Sequence, residues 1–85
     1  MARYRVVVRK SVAKDLRGVP RKDVKRVLAA IRELADNPRP PGAKKLSGQE
    51  RYRLRQGNYR ILYSIEDDRL IVSVVRVGNR REVYR

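Results

Sequence analysis

The chain begins with an alternating pattern that is typical of a β-strand. Tyr4, Val6 and Val8 take every second position, with arginines at positions 3, 5 and 9 around them, so one face of this strand is apolar and the other is charged. A short helix is predicted next, because Ser11 is a good helix N-cap and Gly18 can end the helix. The N-terminal segment is therefore predicted to be a strand followed by a helix.

A second, longer helix is predicted from an apolar stripe that repeats every three to four residues. Pro20 suits the first turn of this helix, and Asn37 with Pro38 stops it. The stripe consists of Val24, Val27, Leu28, Ile31, Leu34 and Ala35. Residues 37–50 are rich in proline and glycine and predict a loop.

Three further strands are predicted in the second half of the chain. Residues 51–55 alternate strictly, residues 59–66 and 69–77 are predicted as the next two strands, and turn signals separate these segments. A last short piece, residues 79–84, can add an edge strand. The predicted order is β-α-α-β-β-β, with this optional final strand. The expected architecture is an α+β fold in a single domain, residues 1–85, with a twisted, antiparallel-rich sheet and two N-terminal helices packed on one face.

The first predicted hairpin places like charges opposite each other. With Gly57 and Asn58 as a two-residue loop, Arg55 faces Arg60, and Arg53 lies two residues along on the same face. Facing like charges destabilise a sheet, and residues 51–60 contain no acid to relieve them. Clustered guanidinium groups suit bidentate contact with phosphate, so the pattern indicates an anion-binding face. An ordinary solvated strand face, or a different turn and register, accounts for the same residues without a ligand.

The second predicted hairpin identifies the core face of the sheet. If residues 67–68 form a two-residue loop, Tyr63 faces Val72 and Ile61 faces Val74. All of these residues are apolar and lie on one face. We expect that face to pack against the helices, which leaves the arginines on the opposite face.

The composition narrows the classes of function. The 85 residues include 23 Lys+Arg and 9 Asp+Glu, a net charge of +14 at pH 7, which favours a polyanionic partner. The chain has no Cys and no His, which excludes disulfides and removes the commonest metal ligand and general base, so no metal and no cofactor are expected. An apolar content of 41% argues against disorder. No apolar run is long enough for a membrane span, so a cytoplasmic location is expected.

Four segments of the sequence carry a family signature. They are Lys-Leu-Ser-Gly at 45–48, Tyr-Arg-Leu-Arg at 52–55, Gly-Asn-Tyr-Arg-Ile-Leu-Tyr at 57–63 and Val-Gly-Asn-Arg-Arg-Glu-Val-Tyr at 77–84. With the predicted order of elements, the sequence resembles the RelE toxin family, part of the RelE/ParE superfamily of type II toxin–antitoxin systems. The resemblance covers essentially the whole chain.

The resemblance implies a ribosome-dependent endoribonuclease that cleaves mRNA in the ribosomal A site without a metal. In such toxins the ribose 2′-hydroxyl attacks the adjacent phosphate. The resemblance also implies a RelB-like antitoxin with an acidic toxin-binding segment as partner, besides the ribosome and mRNA, and no membrane. Some relatives continue into a C-terminal helix that the antitoxin displaces; this chain ends at Arg85, so we expect no such displacement.

The resemblance further assigns catalytic roles to five residues. It implies that Arg60 and Arg80 hold the scissile phosphate, that Arg53 or Arg55 stabilises the leaving oxygen, and that Tyr84 stacks on a base or transfers a proton. Some RelE proteins have lysine at the positions of Arg53 and Arg55. Because arginine stays protonated in proteins, it is a poor general base. The base would then be Tyr84 or a ribosomal group, or cleavage would rely on electrostatics and substrate alignment.

Four further basic residues are candidate RNA contacts, and functions other than RNA cleavage also fit the sequence. RNA contacts are predicted for Lys44, Lys45, Arg51 and Arg81. For Lys44 and Lys45, a solvated loop accounts for the charges at least equally well. A ParE-like poison of DNA gyrase would share the fold. A non-catalytic nucleic-acid-binding module, or a decayed toxin, also fits the charge, since a fold does not determine its chemistry.

Overall fold

The computed structural model describes residues 3–46, 48 and 50–79. Its elements are, in chain order, β1 (Arg5–Val8), α1 (Lys10–Asp15), α2 (Arg21–Glu33), β2 (Lys44–Lys45), β3 (Tyr52–Gln56), β4 (Tyr59–Glu66) and β5 (Ile71–Asn79). The predicted order of elements is confirmed, with β2 as an addition. The predicted final strand falls outside the described residues, apart from its first residue, which ends β5. Neither helix in these ranges is long and apolar enough to cross a membrane.

The five strands form one mixed sheet in the order β1-β5-β4-β3-β2. Strands β2 to β5 pair as an antiparallel meander, and β1 runs parallel to β5. The parallel pair is possible because the chain passes through both helices and three strands before it returns beside β1. The antiparallel-rich α+β architecture is confirmed.

The core lies between the helices and one face of the sheet. Its buried members are Val12, Val27, Ala30, Ile31, Leu34, Leu54, Ile61, Tyr63, Val72, Val74 and Val77. Both helices therefore pack on the predicted core face. One position of the α2 stripe is wrong, because Leu28 is 38% exposed and Ala30 is buried. The buried stripe is centred on Val27 and Ile31, which puts Leu28 at its margin.

The predicted cap at Ser11 is wrong. No side chain caps α1, and the Ser11 hydroxyl instead donates to the carbonyl oxygen of Val75 at 3.2 Å. Strand β1 ends opposite Val74, so α1 covers the edge of β5 beyond that point. There the Asp15 carboxylate accepts the N–H of Val77 at 3.0 Å. Helix α1 thus supplies hydrogen bonds that a neighbouring strand would otherwise make.

The loop predicted for residues 37–50 contains a short strand. Lys44 and Lys45 pair with β3 as the edge strand β2. Gly42 turns the chain with a φ of 93° before β2, and the N–H of Leu46 donates to the carbonyl of Arg51 at 2.8 Å after it. Two adjacent lysines carry no apolar alternation, so the sequence pattern could not identify this strand.

The predicted register of the second hairpin is wrong, by two residues from the loop to Tyr63 and by three beyond the bulge, where Ile61 faces Val77 and not Val74. The loop between β4 and β5 spans four residues, 67–70, and Tyr63 faces Val74 while Ile65 faces Val72. Leu70 adopts a left-handed φ of 55° in this loop. A shift of two residues keeps every side chain on its face, which is why the predicted core face is still correct.

A β-bulge interrupts the same strand pair. Between Leu62 and Tyr63 the register shifts by one residue on β5, so that Leu62 faces Arg76 while Tyr63 still faces Val74. Strict alternation after Val74 would turn Arg76 toward the core. The bulge accommodates Val75 as the extra residue, and Val77 is buried in the core instead.

A polar cluster fastens the proline-rich loop to the sheet. Asp67 accepts two hydrogen bonds from Arg39, at 3.0 and 2.8 Å, and one from the Tyr4 hydroxyl at 2.6 Å. These hydrogen bonds, mainly those from Arg39, lower the pKa of Asp67 to about 2. The Arg39 guanidinium lies 5.3 Å from the ring centroid of Tyr52, and Tyr52 stacks on Tyr63 at 5.8 Å. The cluster joins segments that are distant in sequence.

Candidate nucleic-acid interface

The sheet face opposite the helices carries the predicted arginines. Arg55 lies directly opposite Arg60, and Arg53 lies opposite Leu62. Gly57 has a φ of 59° at the first position of the two-residue loop, as a type II′ hairpin turn requires. The predicted register of this hairpin is confirmed. Residues opposite each other have Cβ atoms about 4.5–5.5 Å apart, so the hairpin places two guanidinium-bearing side chains side by side.

Lys44 of β2 extends this basic face toward the sheet edge. It pairs with Arg53, and therefore lies on the same face as the arginines. Gly42, Lys44, Arg53 and Arg55 line an open pocket of about 230 Å³. The pairing of β2 thus brings Lys44, a predicted RNA contact, beside the arginines.

The remaining predicted site residues lie elsewhere. Lys45 is opposite Tyr52, which puts it on the other face of the sheet, and it pairs with Glu50 at 3.7 Å. Arg51 is exposed just before β3. The predicted residues Arg80, Arg81 and Tyr84 lie outside the described residues.

Arg76 is a member of this face that the sequence analysis missed. It faces Leu62 on β4, as Arg53 does from the other side. The signal for it was the adjacent pair Val74 and Val75, which breaks the period of two in β5. Strict alternation would bury an arginine among valines, so a bulge was the physical alternative.

The electrostatics of the face favour an anion. In the part of the chain that the structure describes, neither Arg55 nor Arg76 has a carboxylate within ion-pair distance. The Nε atom of Arg60 is shielded from solvent, and a guanidinium near low-dielectric protein interacts more strongly with a bound anion than one in open water. Since arginine stays protonated, these groups can bind and stabilise negative charge but cannot accept a proton. Chemically, the face can hold phosphate groups.

Comparison with known families identifies the class of protein. The family model described as the ParE toxin of type II toxin–antitoxin systems, parDE, matches residues 6–84. Toxin RelG of Mycobacterium tuberculosis is 33% identical over 90 residues, which cover 96% of this chain and 97% of that protein. The chain belongs to the RelE/ParE superfamily and is a RelE-like toxin of a type II toxin–antitoxin system.

Solved structures show the same fold. The RelE–RelB complex from Pyrococcus horikoshii OT3 matches with a TM-score of 0.83 and 29% identity, covering 98% of this chain and 100% of that chain. The RelB–RelE complex from Methanococcus jannaschii matches with a TM-score of 0.71 and 31% identity, covering 92% of this chain and 94% of that chain. The predicted RelE-like fold is confirmed.

Proposed function

We propose that this toxin is a ribosome-dependent endoribonuclease that cleaves mRNA in the ribosomal A site and thereby inhibits translation. The observation that carries the proposal is the pair Arg55 and Arg60, which lie opposite each other beside Arg53. Facing like charges cost stability in a sheet. A bound polyanionic substrate would relieve the repulsion between these charges, and this relief would contribute to the free energy of binding.

The proposed reaction is an internal transesterification of RNA. The 2′-oxygen forms a bond to the adjacent phosphorus, the bond from phosphorus to the 5′-oxygen breaks, and the products are a 2′,3′-cyclic phosphate and a 5′-hydroxyl. The proton lost from the 2′-hydroxyl is balanced by one gained at the 5′-oxygen. Negative charge accumulates on the phosphate oxygens in the transition state, and fixed guanidinium groups stabilise it.

Each arginine receives a role in this proposal. Arg60, whose Nε atom is shielded from solvent, and Arg80 hold the scissile phosphate. Arg53 and Arg55 line the pocket with Lys44 and stabilise the leaving oxygen and the RNA backbone.

The general base is not one of the arginines, because they remain protonated. We assign proton transfer to Tyr84 or to a group of the ribosome. Lys45, Arg51 and Arg81 remain proposed RNA contacts, although Lys45 lies on the far side of β2 from the pocket.

The proposed protein partner is a RelB-like antitoxin. Both of the solved structures described above are complexes of RelE with RelB. A net charge of +14 would attract an acidic antitoxin segment as well as RNA.

A second candidate is a poison of DNA gyrase. It is supported by the matching family model, which is that of ParE toxins. This function would not need the crowded arginines of β3 and β4, which is why we favour RNA cleavage.

Expression of the toxin in bacterial cells, followed by primer extension on an abundant mRNA, distinguishes these functions. We expect cuts within codons that disappear in the Arg60→Ala variant and persist in Arg26→Ala, an exposed arginine of α2. Co-expression of a cognate RelB-like antitoxin should abolish them. Growth arrest with intact mRNA and induced DNA-damage signalling would favour gyrase poisoning instead, and harmless expression would indicate an inactive toxin.

A further inference from the structure

The β-bulge in β5 places Arg76 on the sheet face opposite the helices, whereas strict alternation would place it on the core face. At the bulge, Arg76 moves into register with Leu62, and Leu62 is already in register with Arg53. Arg53 in turn faces Lys44. One row of residues therefore crosses four strands of the sheet, in the order Lys44, Arg53, Leu62, Arg76.

The spacing of this row is set by the sheet itself. Neighbouring strands lie about 4.7–4.9 Å apart, so the backbones of Arg53 and Arg76 are separated by roughly 10 Å, with β4 between them. Leu62, at 6% exposure, packs there against Val75 and Leu46. Arg76 therefore presents its charge on the opposite side of an apolar strip from the pocket of Lys44, Arg53 and Arg55.

Arg76 is also not neutralised by Asp15, the acid that lines the same cavity. It borders an open cavity of about 310 Å³ at the edge of β5, together with Asp15 and Asn79. The Asp15 carboxylate accepts the backbone N–H of Val77, and within the described ranges it forms no ion pair with Arg76. Arg76 is exposed, so its guanidinium is accessible to a ligand.

We propose that Arg76 binds a second phosphate of the RNA backbone, across Leu62 from the part of the backbone contacted by Arg53 and Arg55. This inference rests on the proposed function in taking RNA as the ligand. The RNA strand then crosses the strands of the sheet from β3 toward β5. The bulge interrupts the regular pairing, turns the charge of Arg76 out of the core and so lengthens the binding surface.

The test measures how RNA binding depends on salt. The probe is a fluorescein-labelled single-stranded oligoribonucleotide in which every 2′-hydroxyl is methylated, so that it cannot be cleaved by 2′-attack. Binding of the full chain is followed by fluorescence anisotropy from about 50 to about 200 mM salt. The variants are Arg76→Gln, Arg76→Lys and, as the matched control, Arg26→Gln, which removes one exposed charge from α2.

We expect Arg76→Gln to weaken binding roughly 3- to 10-fold. The slope of log K against log salt should shrink by about 0.7, the value for one phosphate contact on a single strand. Arg76→Lys should keep most of the slope, because its charge remains, and Arg26→Gln should match the wild type. Circular dichroism and thermal melting of each variant separate loss of binding from loss of folding.

Equal slopes for Arg76→Gln and Arg26→Gln, or a wild-type chain that does not bind the probe, would overturn the inference. The two proposals fail separately. An Arg76-dependent slope with intact mRNA in cells would retain the phosphate contact and overturn the endoribonuclease. Cleavage of mRNA in cells together with equal slopes would retain the endoribonuclease and overturn the phosphate contact of Arg76.

Discussion

Arg55 and Arg60 lie directly opposite each other on two antiparallel strands, joined by a two-residue loop. The short loop leaves no freedom to shift this pairing, so the two positive charges are held together by the backbone. The repulsion between these two charges lowers the stability of the hairpin. Its existence predicts that stability and RNA binding change in opposite directions when one of the two charges is removed.

The variant Arg55→Gln tests whether stability and RNA binding change in opposite directions. We expect its free energy of unfolding to rise by about 0.2–1 kcal/mol, because the facing like charge is gone, while mRNA cleavage falls. Urea unfolding at low and high salt measures the first effect. The gain should shrink at about 1 M salt, where the screening length is about 3 Å.

Arg69→Gln is the matched control, since Arg69 is an exposed arginine in the loop between β4 and β5. It removes the same net charge without touching the pair. If Arg55→Gln is less stable than Arg69→Gln at low salt, the two facing charges do not repel as inferred.

The turn that sets the register can be tested at Gly57. Its φ is 59°, and a Cβ there would contact nothing within 4 Å, so replacement by alanine strains only the backbone. We expect Gly57→Ala to lower the free energy of unfolding by about 1–2 kcal/mol. Gly18→Ala is the control, because a Cβ at Gly18 also meets nothing within 4 Å and its φ is not left-handed. That variant should be neutral or slightly stabilised, and equal losses in both variants would contradict the assignment.

The first hairpin was predictable because its register depends on local sequence. A two-residue loop that starts with glycine leaves one way to pair the flanking strands, and this correctly placed Arg53, Arg55 and Arg60 on one face. The core face was predictable for a related reason. Alternation determines the face of a residue, and an error of two residues in register does not change it.

The second hairpin was not predictable, because long-range contacts shape its loop. Asp67 is held by Arg39 and Tyr4, which come from distant parts of the chain, and the loop lengthens to four residues. Arg76 depends on a bulge that follows from packing valines against the helices. Site residues that depend only on a tight turn can therefore be predicted, while those that depend on tertiary packing need the structure.

The cluster around Asp67 predicts a dependence of stability on pH. Hydrogen bonds from Arg39 and Tyr4 lower the pKa of Asp67 from 3.8 to about 2. A lowered pKa in the folded state stabilises the fold above the unfolded pKa, and this contribution is lost as pH falls through the folded value. We therefore expect the free energy of unfolding of the wild type to fall between about pH 4 and about pH 2 more than that of Asp67→Asn.

Chemical unfolding at a series of pH values measures this difference. The effect should be modest, since the side chains of Arg39 and Asp67 are 46% and 56% exposed, and exposed ion pairs contribute little. Asp68→Asn, in the same loop, is the control and should follow the wild-type curve. Parallel curves for the wild type and Asp67→Asn would show that the Arg39 contact does not stabilise the fold.

Tyr63 should be the tyrosine whose hydroxyl contributes most to stability among those in the described strands. It is fully buried and donates to the carbonyl oxygen of Pro38 at 2.8 Å, which joins β4 to the proline-rich loop. Tyr63→Phe leaves that carbonyl buried without its donor, so we expect a loss of about 1–3 kcal/mol in the free energy of unfolding. In Tyr59→Phe the lost bond goes to the Asp23 carboxylate at 3.2 Å, which is only partly buried and can turn to water.

Urea unfolding of both variants gives the comparison, and a spectrophotometric titration checks the environment. Burial raises the pKa of Tyr63 to about 12, so the wild type should contain a late-ionising phenol that is missing in Tyr63→Phe and retained in Tyr59→Phe. A loss in Tyr59→Phe as large as that in Tyr63→Phe would contradict the view that the Pro38 contact holds the loop. Since this loop leads into Gly42 and Lys44 at the arginine pocket, Tyr63→Phe should also weaken RNA binding, although Tyr63 itself lies on the opposite face of the sheet.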